Sequence, residues 1–206
     1  MTEPNPHARI EAFSDGVFAI AMTLLVIDIR IPGLEKISST HELWMALLHL
    51  LPSVATFILS FTIILITWVN HHSGSKLVSG SSSSHAFIYA NGFLLLTVVI
   101  LPFPTSLLGE TILTDHAGPA VALYNAVVAA QGLAWVLLLH TVIAGKQAKS
   151  EKAEQIVRRN LTYGYYAFTL YSFAAVIALW FPVTIAIVTT LIWGFWLIIG
   201  INTKED

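Results

Sequence analysis

The sequence lacks cysteine altogether and has few charged residues. None of its 206 residues is Cys, and Asp, Glu, Lys and Arg together make up 11% of the chain. The absence of thiols excludes disulfide bonds, thiolate metal sites and cysteine nucleophiles. A soluble domain carries about 25% charged residues, whereas this chain is 56% hydrophobic and has a mean hydropathy of +0.75. The composition therefore predicts an integral membrane protein.

Sequence signatures of catalysis and metal binding are also missing. The chain contains no H-E-x-x-H and no G-x-S-x-G motif. His71 and His72 are adjacent, so on a helix their side chains would point about 100° apart and could not easily share one ion. His41 and His49 have no carboxylate at a ligating offset. We therefore expect no enzymatic activity, no metal site, no cofactor and no nucleic-acid partner.

The apolar segments divide the chain into membrane spans. A helix needs about 20 residues to cross a bilayer, and six segments approach or exceed that length. We predict one all-α transmembrane domain over residues 1–206, with spans at about 10–31, 42–69, 86–108, 119–143, 161–181 and 183–201. The Ser-rich stretch 71–85, "HHSGSKLVSGSSSSH", is expected to be a flexible loop. The polar stretch 145–160 is expected to extend a neighbouring helix.

The distribution of Lys and Arg predicts the orientation. Cytoplasmic segments of membrane proteins carry an excess of basic residues. If the N-terminus is inside, the outer loops contain only Arg30 and Lys36, and the other basic residues lie inside: Arg9, Lys76, Lys146, Lys149, Lys152, Arg158, Arg159 and Lys204. Both termini are therefore predicted to be cytoplasmic.

The first span, "RIEAFSDGVFAIAMTLLVIDIRIP", carries charges at both ends. Only Gly16 to Ile27 is free of charge. At about 100° per residue, Ile20, Leu24 and Ile27 share one helix face and Asp15 lies on another. An intramembrane carboxylate almost always faces protein or water. From the residues alone, the apolar row faces either lipid or the interior of the bundle.

Topology suggests which groups could neutralise Asp15. The first span begins inside and the second ends inside, so Asp15 lies at the depth of four polar or aromatic residues: Trp68, Asn70, His71 and His72. An indole or imidazole N–H would satisfy a carboxylate there. We therefore predict a polar network that anchors the first helix, with a titrating proton site as the alternative.

Three motifs, in order along the chain, resemble those of a known channel family. Arg9-x-x-x-Phe13-Ser14-Asp15 matches an R-x-x-x-F-S-D signature, and it is followed by "TWVNHH" from Thr67 and "LPFPTSLLGE" from Leu101. These motifs are similar to those of the transmembrane protein 175 family of cation channels. The resemblance implies a potassium-permeable channel without a T-V-G-Y-G filter, and no such filter occurs in this sequence. It further implies a single-repeat homotetramer in a prokaryotic plasma membrane, with the first helix lining the pore.

The resemblance also assigns roles to residues. The pore constriction would consist of Ile20, Leu24 and Ile27, with the Thr23 hydroxyl as a polar layer. The anchoring network would comprise Arg9, Phe13, Ser14, Asp15, Trp68, Asn70, His71 and His72. Asp28, near the outer mouth, would concentrate cations. Potassium, other monovalent cations or protons are the expected permeant ions, and the bilayer is the other partner. The alternative function is a proton channel or proton-coupled transporter that uses Asp15 and His71 or His72.

Overall fold

Helices account for nearly all of the described chain. The computed structural model describes residues 6–29, 33, 37–79 and 84–202. Its helices are α1 (Pro6–Leu24), continued by a 3-10 turn (Leu25–Asp28), α2 (Thr40–His49), α3 (Leu51–Leu77), α4 (His85–Ile100), α5 (Pro102–Thr111), α6 (Ala117–Ala144), α7 (Glu151–Ile177) and α8 (Pro182–Asn202). Within these ranges β-structure is limited to one isolated bridge, between Val78 and Ala148. The predicted all-α class is confirmed.

Within the described ranges, four helical segments have the length and composition of membrane spans. They are His7–Ile27, Leu51–Leu77, His85–Thr111 and Ala117–Ala144. They overlap the first four predicted spans. The apolar stretch Pro182–Ile198 is shorter, and α7 begins with a charged segment.

The second predicted span, 42–69, differs from the structure at both ends. The helix is interrupted at Leu50, between α2 and α3, and Pro52 lies in the first turn of α3. Proline has no N–H to donate, so it suits a helix start, where that donor would be unpaired anyway. At its other end α3 continues to Leu77, so the flexible-loop prediction for 71–85 is wrong for residues 71–77. Residues 80–83 lie outside the described ranges.

The third predicted span, 86–108, is interrupted at Leu101. Pro102 and Pro104 lie in the first turn of α5, and their missing N–H groups end the α4 ladder. Hydroxyl groups add hydrogen bonds at the start of α5. Thr105 Oγ1 donates to the Leu101 carbonyl at 2.7 Å and lies 2.7 Å from Ser60 Oγ of α3. Irregular backbone at membrane depth is tolerated where protein surrounds it in this way.

The linker between α6 and α7 contains a strained turn. Lys146 N–H donates to the Ile143 carbonyl and Gln147 N–H to the Val142 carbonyl, which is the Schellman pattern of helix termination. Lys146 occupies the left-handed position of this motif, with φ of 50°. That position is usually Gly, and a residue with a side chain loses about 1–2 kcal/mol there.

Helix α7 begins earlier than the predicted fifth span, 161–181. Its first residue is Glu151, and the Ser150 hydroxyl caps it by accepting from Ala153 N–H at 3.1 Å. The predicted helical extension over 145–160 is therefore right from Glu151 onward and wrong for the turn that precedes it.

Helices α6 and α7 approach each other through glycine. A Cβ added to Gly132 would lie 2.9 Å from the Phe168 backbone N, and one added to Gly164 would lie 3.0 Å from Val136 Cγ2. Small residues allow such close contact between membrane helices, which strengthens van der Waals packing. The pairing places α7 alongside the apolar length of α6.

Replacing Gly132 by Ala should therefore loosen the α6–α7 pair. The new methyl group meets backbone, which has no rotamer to change, so we expect a loss of about 1–3 kcal/mol of stability. Gly92→Ala is the matched control, because nothing lies within 4 Å of the added Cβ. Thermal unfolding of both variants in detergent tests the contact. Equal melting temperatures for the two variants would contradict it.

Candidate pore helix and its anchoring network

Helix α1 has one buried face. Ser14, Phe18, Ala21 and Leu25 are each at most 1% exposed. The apolar members of this face belong to a core cluster with residues of α3, α5 and α6. Because these residues recur at intervals of three or four, they form one continuous stripe. The stripe fixes the rotation of α1 about its own axis.

The opposite face of α1 is apolar and exposed. Ile20, Leu24 and Ile27 are 59%, 41% and 67% exposed, and Phe13 of the same stripe is 66% exposed. No described element of the chain covers this row. An apolar row left bare by its own subunit must meet lipid, another subunit or a dewetted passage.

Thr23 borders the exposed row. Its Oγ1 donates to the Ile20 carbonyl at 2.8 Å. A hydroxyl that donates its single hydrogen in this way can still accept a hydrogen bond through its lone pairs. The exposed Thr23 oxygen can therefore accept from water or contact a cation. Asp28 ends the 3-10 turn, and its side chain lies outside what the structure describes.

Asp15 is bound to the third helix. Trp68 Nε1 donates to Asp15 Oδ1 at 2.9 Å, and Asp15 is partly buried. The Trp68 indole also stacks on the His72 ring, with centroids 5.9 Å apart. An indole N–H paired with a carboxylate is a charge-assisted hydrogen bond, about twice as strong as a neutral one.

A second chain of hydrogen bonds is fully buried and links three helices. Ser14 Oγ donates to the Ile10 carbonyl at 2.8 Å and accepts from Asn91 Nδ2 of α4 at 3.0 Å. Asn91 Oδ1 lies 2.8 Å from His71 Nε2 of α3. Since this amide oxygen can only accept, His71 carries its proton on Nε2. The Ser14–Asn91–His71 chain thus ties α1 to α4 and α3.

Glu11 provides a third attachment, one turn before Asp15. It accepts from Ser75 Oγ at 2.7 Å, and its Oε1 lies 3.3 Å from His72 Nδ1. These contacts bind the last two turns of α3, which extend beyond the predicted span end, to α1.

Three residues of the predicted network lie elsewhere. Arg9, Phe13 and Asn70 are exposed, and within the described ranges their side chains form no hydrogen bond or ion pair. Phe13 belongs to the bare apolar row. Within one subunit the network therefore contains Ser14, Asp15, Trp68, His71 and His72 from the predicted set.

Glu11, Ser75 and Asn91 belong to the network but were not predicted from the sequence. Asn91 had a detectable signal, since it interrupts the apolar run "FIYANGFLLLTVVI", and a polar side chain in such a run needs a partner. Glu11 and Ser75 carry no such signal, because the Ser-rich sequence around Ser75 is typical of a loop. Across the described ranges, no three His, Asp or Glu side chains come together as a possible metal site.

Comparison with known proteins identifies the family. The family model described as "Endosomal/lysosomal potassium channel TMEM175" matches residues 9–102. The potassium channel Cha6605_3372 of Chamaesiphon minutus is 42% identical over 153 residues, which are 74% of this chain and 74% of that protein. The chain belongs to the TMEM175 family. A second TMEM175 relative, the potassium channel B446_29190 of Streptomyces collinus, is 42% identical over 65% of this chain and 63% of its own length.

A solved structure of the family has the same fold. It is the crystal structure of a lysosomal potassium-selective channel TMEM175 homolog from Chamaesiphon minutus, with a TM-score of 0.79 and 34% identity. The match covers 94% of this chain and 99% of that one. The TMEM175 channel fold therefore extends over nearly the whole chain.

The Asp15–Trp68 contact gives a direct test of the anchor. Trp68→Phe removes the N–H and leaves the carboxylate without this donor, so we expect a loss of about 1–3 kcal/mol. Trp44→Phe on the exposed α2 is the matched control, since Trp44 is 63% exposed. Melting temperatures in detergent measure the difference. A Trp68→Phe protein as stable as the Trp44→Phe protein would show that the contact adds nothing.

Proposed function

We propose that the protein is a potassium channel of a prokaryotic plasma membrane, formed by four copies around a pore lined by α1. The observation that carries the proposal is the bare apolar row Ile20–Leu24–Ile27 on a helix whose other face is fixed in the subunit core. Relatives that match most of the chain are named potassium channels, and this supports potassium as the permeant ion.

The proposed subunit has six membrane spans, with both termini cytoplasmic. Four of the six proposed spans are the long apolar segments described above, and α7 and α8 provide the other two. The first is the part of α7 that packs against α6 at Gly132 and Gly164, since a helix running beside a span shares its depth. The second is α8, whose buried Thr189 donates to Asn125 of α6 at 2.9 Å. An even number of spans returns the chain to the side rich in Lys and Arg.

The apolar row would form the constriction. Rings of Ile or Leu around an axis close a pore by dewetting when they are narrow. Thr23 lies beside the row and offers hydroxyl oxygens, which can replace part of the hydration shell of an ion. Asp28, at the far end of the same helix, would raise the local cation concentration. Conduction through such a pore would be passive.

The contacts of Asp15 and His71 favour the channel over a proton relay through these two residues. A relay needs groups that release and accept protons in sequence. Asp15 faces an indole, which only donates, and His71 faces the amide of Asn91, which does not titrate. These contacts favour an anchoring role for both residues.

Ile20→Asn tests the constriction. A polar side chain would wet the narrowest point, so we expect a larger current and weaker discrimination between potassium and sodium in reconstituted channels. Ile187→Asn, on an exposed position of α8, is the control and should conduct like the wild type. Unchanged current and selectivity in Ile20→Asn would remove this residue from the constriction.

Subunit number tests the pore itself. Mass determination in mild detergent should give four times the 22.5 kDa subunit mass. A monomer would leave the exposed row of α1 without an axis to line, and it would refute the proposed pore.

A further inference from the structure

An apolar groove runs between α4 and α6 on the outside of the subunit. Near the end of α6 it opens into a cavity of about 560 Å³, lined by Ala86, Tyr89 and Phe93 of α4 and by Leu137 and Gly145. A second cavity of about 240 Å³ continues past Phe93 to the end of α4. Together they form what we call the α4–α6 groove.

The groove has the dimensions of a lipid chain. It extends along α4 from Ser84 to Ile100, which is about 24 Å at a rise of 1.5 Å per residue. The hydrocarbon core of a bilayer is about 30 Å thick, so the groove is longer than one leaflet is deep. Its walls are almost entirely apolar, and a hydrocarbon chain would leave no polar group unpaired there.

A basic residue directly follows the last residue that lines the groove. Gly145 lines the groove, and Lys146 follows it with an exposed side chain that forms no hydrogen bond or ion pair within the described ranges. The stretch 145–160 carries five basic residues against the acids Glu151 and Glu154, and Glu154 is paired with Arg158. The segment that follows the groove therefore has a net positive charge.

Lys146 occupies this place at a conformational cost. Its φ of 50° lies in the left-handed region, where the Schellman motif ordinarily has Gly. Backbone geometry alone would favour Gly at this position. A lysine in a strained position at the end of an apolar groove points to a role for its charge.

We propose that the α4–α6 groove binds an anionic phospholipid, with an acyl chain between α4 and α6 and the phosphate at Lys146. The apolar walls select a hydrocarbon chain, and the unpaired ammonium selects a negatively charged headgroup. This binding site is independent of ion conduction, since it lies on α4 and α6 and includes no residue of α1.

Native mass spectrometry of the detergent-purified protein tests the site. Added dioleoylphosphatidylglycerol should be retained in preference to dioleoylphosphatidylcholine. Lys146→Gly should reduce that preference roughly fivefold, while its melting temperature stays equal to or above that of the wild type, because Gly adopts this φ without strain. Arg159→Gln removes one charge from the same segment away from the groove, and it should keep the preference.

A second variant tests the groove. Ala86→Trp should fill it and reduce the retention of both lipids, whereas Ile88→Trp, on an exposed part of α4 outside the groove, should bind as the wild type does. The proposal is overturned if Lys146→Gly keeps the full preference, or if Ala86→Trp retains both lipids. It is also overturned if Ala86→Trp changes only the number of subunits, since the groove would then be a contact between copies.

Discussion

A polar side chain at membrane depth must be satisfied by protein or water, because the hydrocarbon offers it no partner. Helix α1 carries three such side chains in little more than one turn: Glu11, Ser14 and Asp15. Each is bound by α3 or α4, through Ser75, Asn91 and Trp68 respectively. These bonds determine which way α1 faces. The exposed apolar row is a consequence, since it is the side of the helix from which those attachments are absent.

Apolar packing supports the same orientation. Phe18 and Leu25 are fully or almost fully buried, against a core that includes Ile63, Ile64 and Val121. Polar attachment is concentrated toward the N-terminal end of α1 and apolar packing toward its centre. A hydrophobic interface alone specifies rotation weakly among lipid tails that are equally apolar. The polar contacts supply the specificity that packing lacks.

Much of this architecture could be predicted from the sequence. Composition and long apolar segments indicated a helical membrane protein, and the helical period placed Asp15 opposite Ile20, Leu24 and Ile27. The residues at which helices begin and end were harder to predict from the sequence. The sequence shows Pro52 and Pro104, but whether a proline interrupts a helix depends on whether neighbouring groups form hydrogen bonds with the backbone groups that it leaves unpaired. Ser75 lies in a helix and is bound to Glu11, which is 64 positions away, and no local pattern encodes such a contact.

The interruption at Leu101 divides the third span into two helices, α4 and α5, with different hydrogen-bond partners. Helix α4 is joined to α1 through Asn91, whereas α5 is joined to α3 through Thr105 and Ser60, which also lies 2.9 Å from Tyr124 Oη of α6. The two helices meet where proline interrupts the backbone hydrogen bonds. The proline break thus separates α4, which holds the candidate pore helix by a hydrogen bond, from α5, which is hydrogen-bonded to α3 and meets the pore helix through apolar packing.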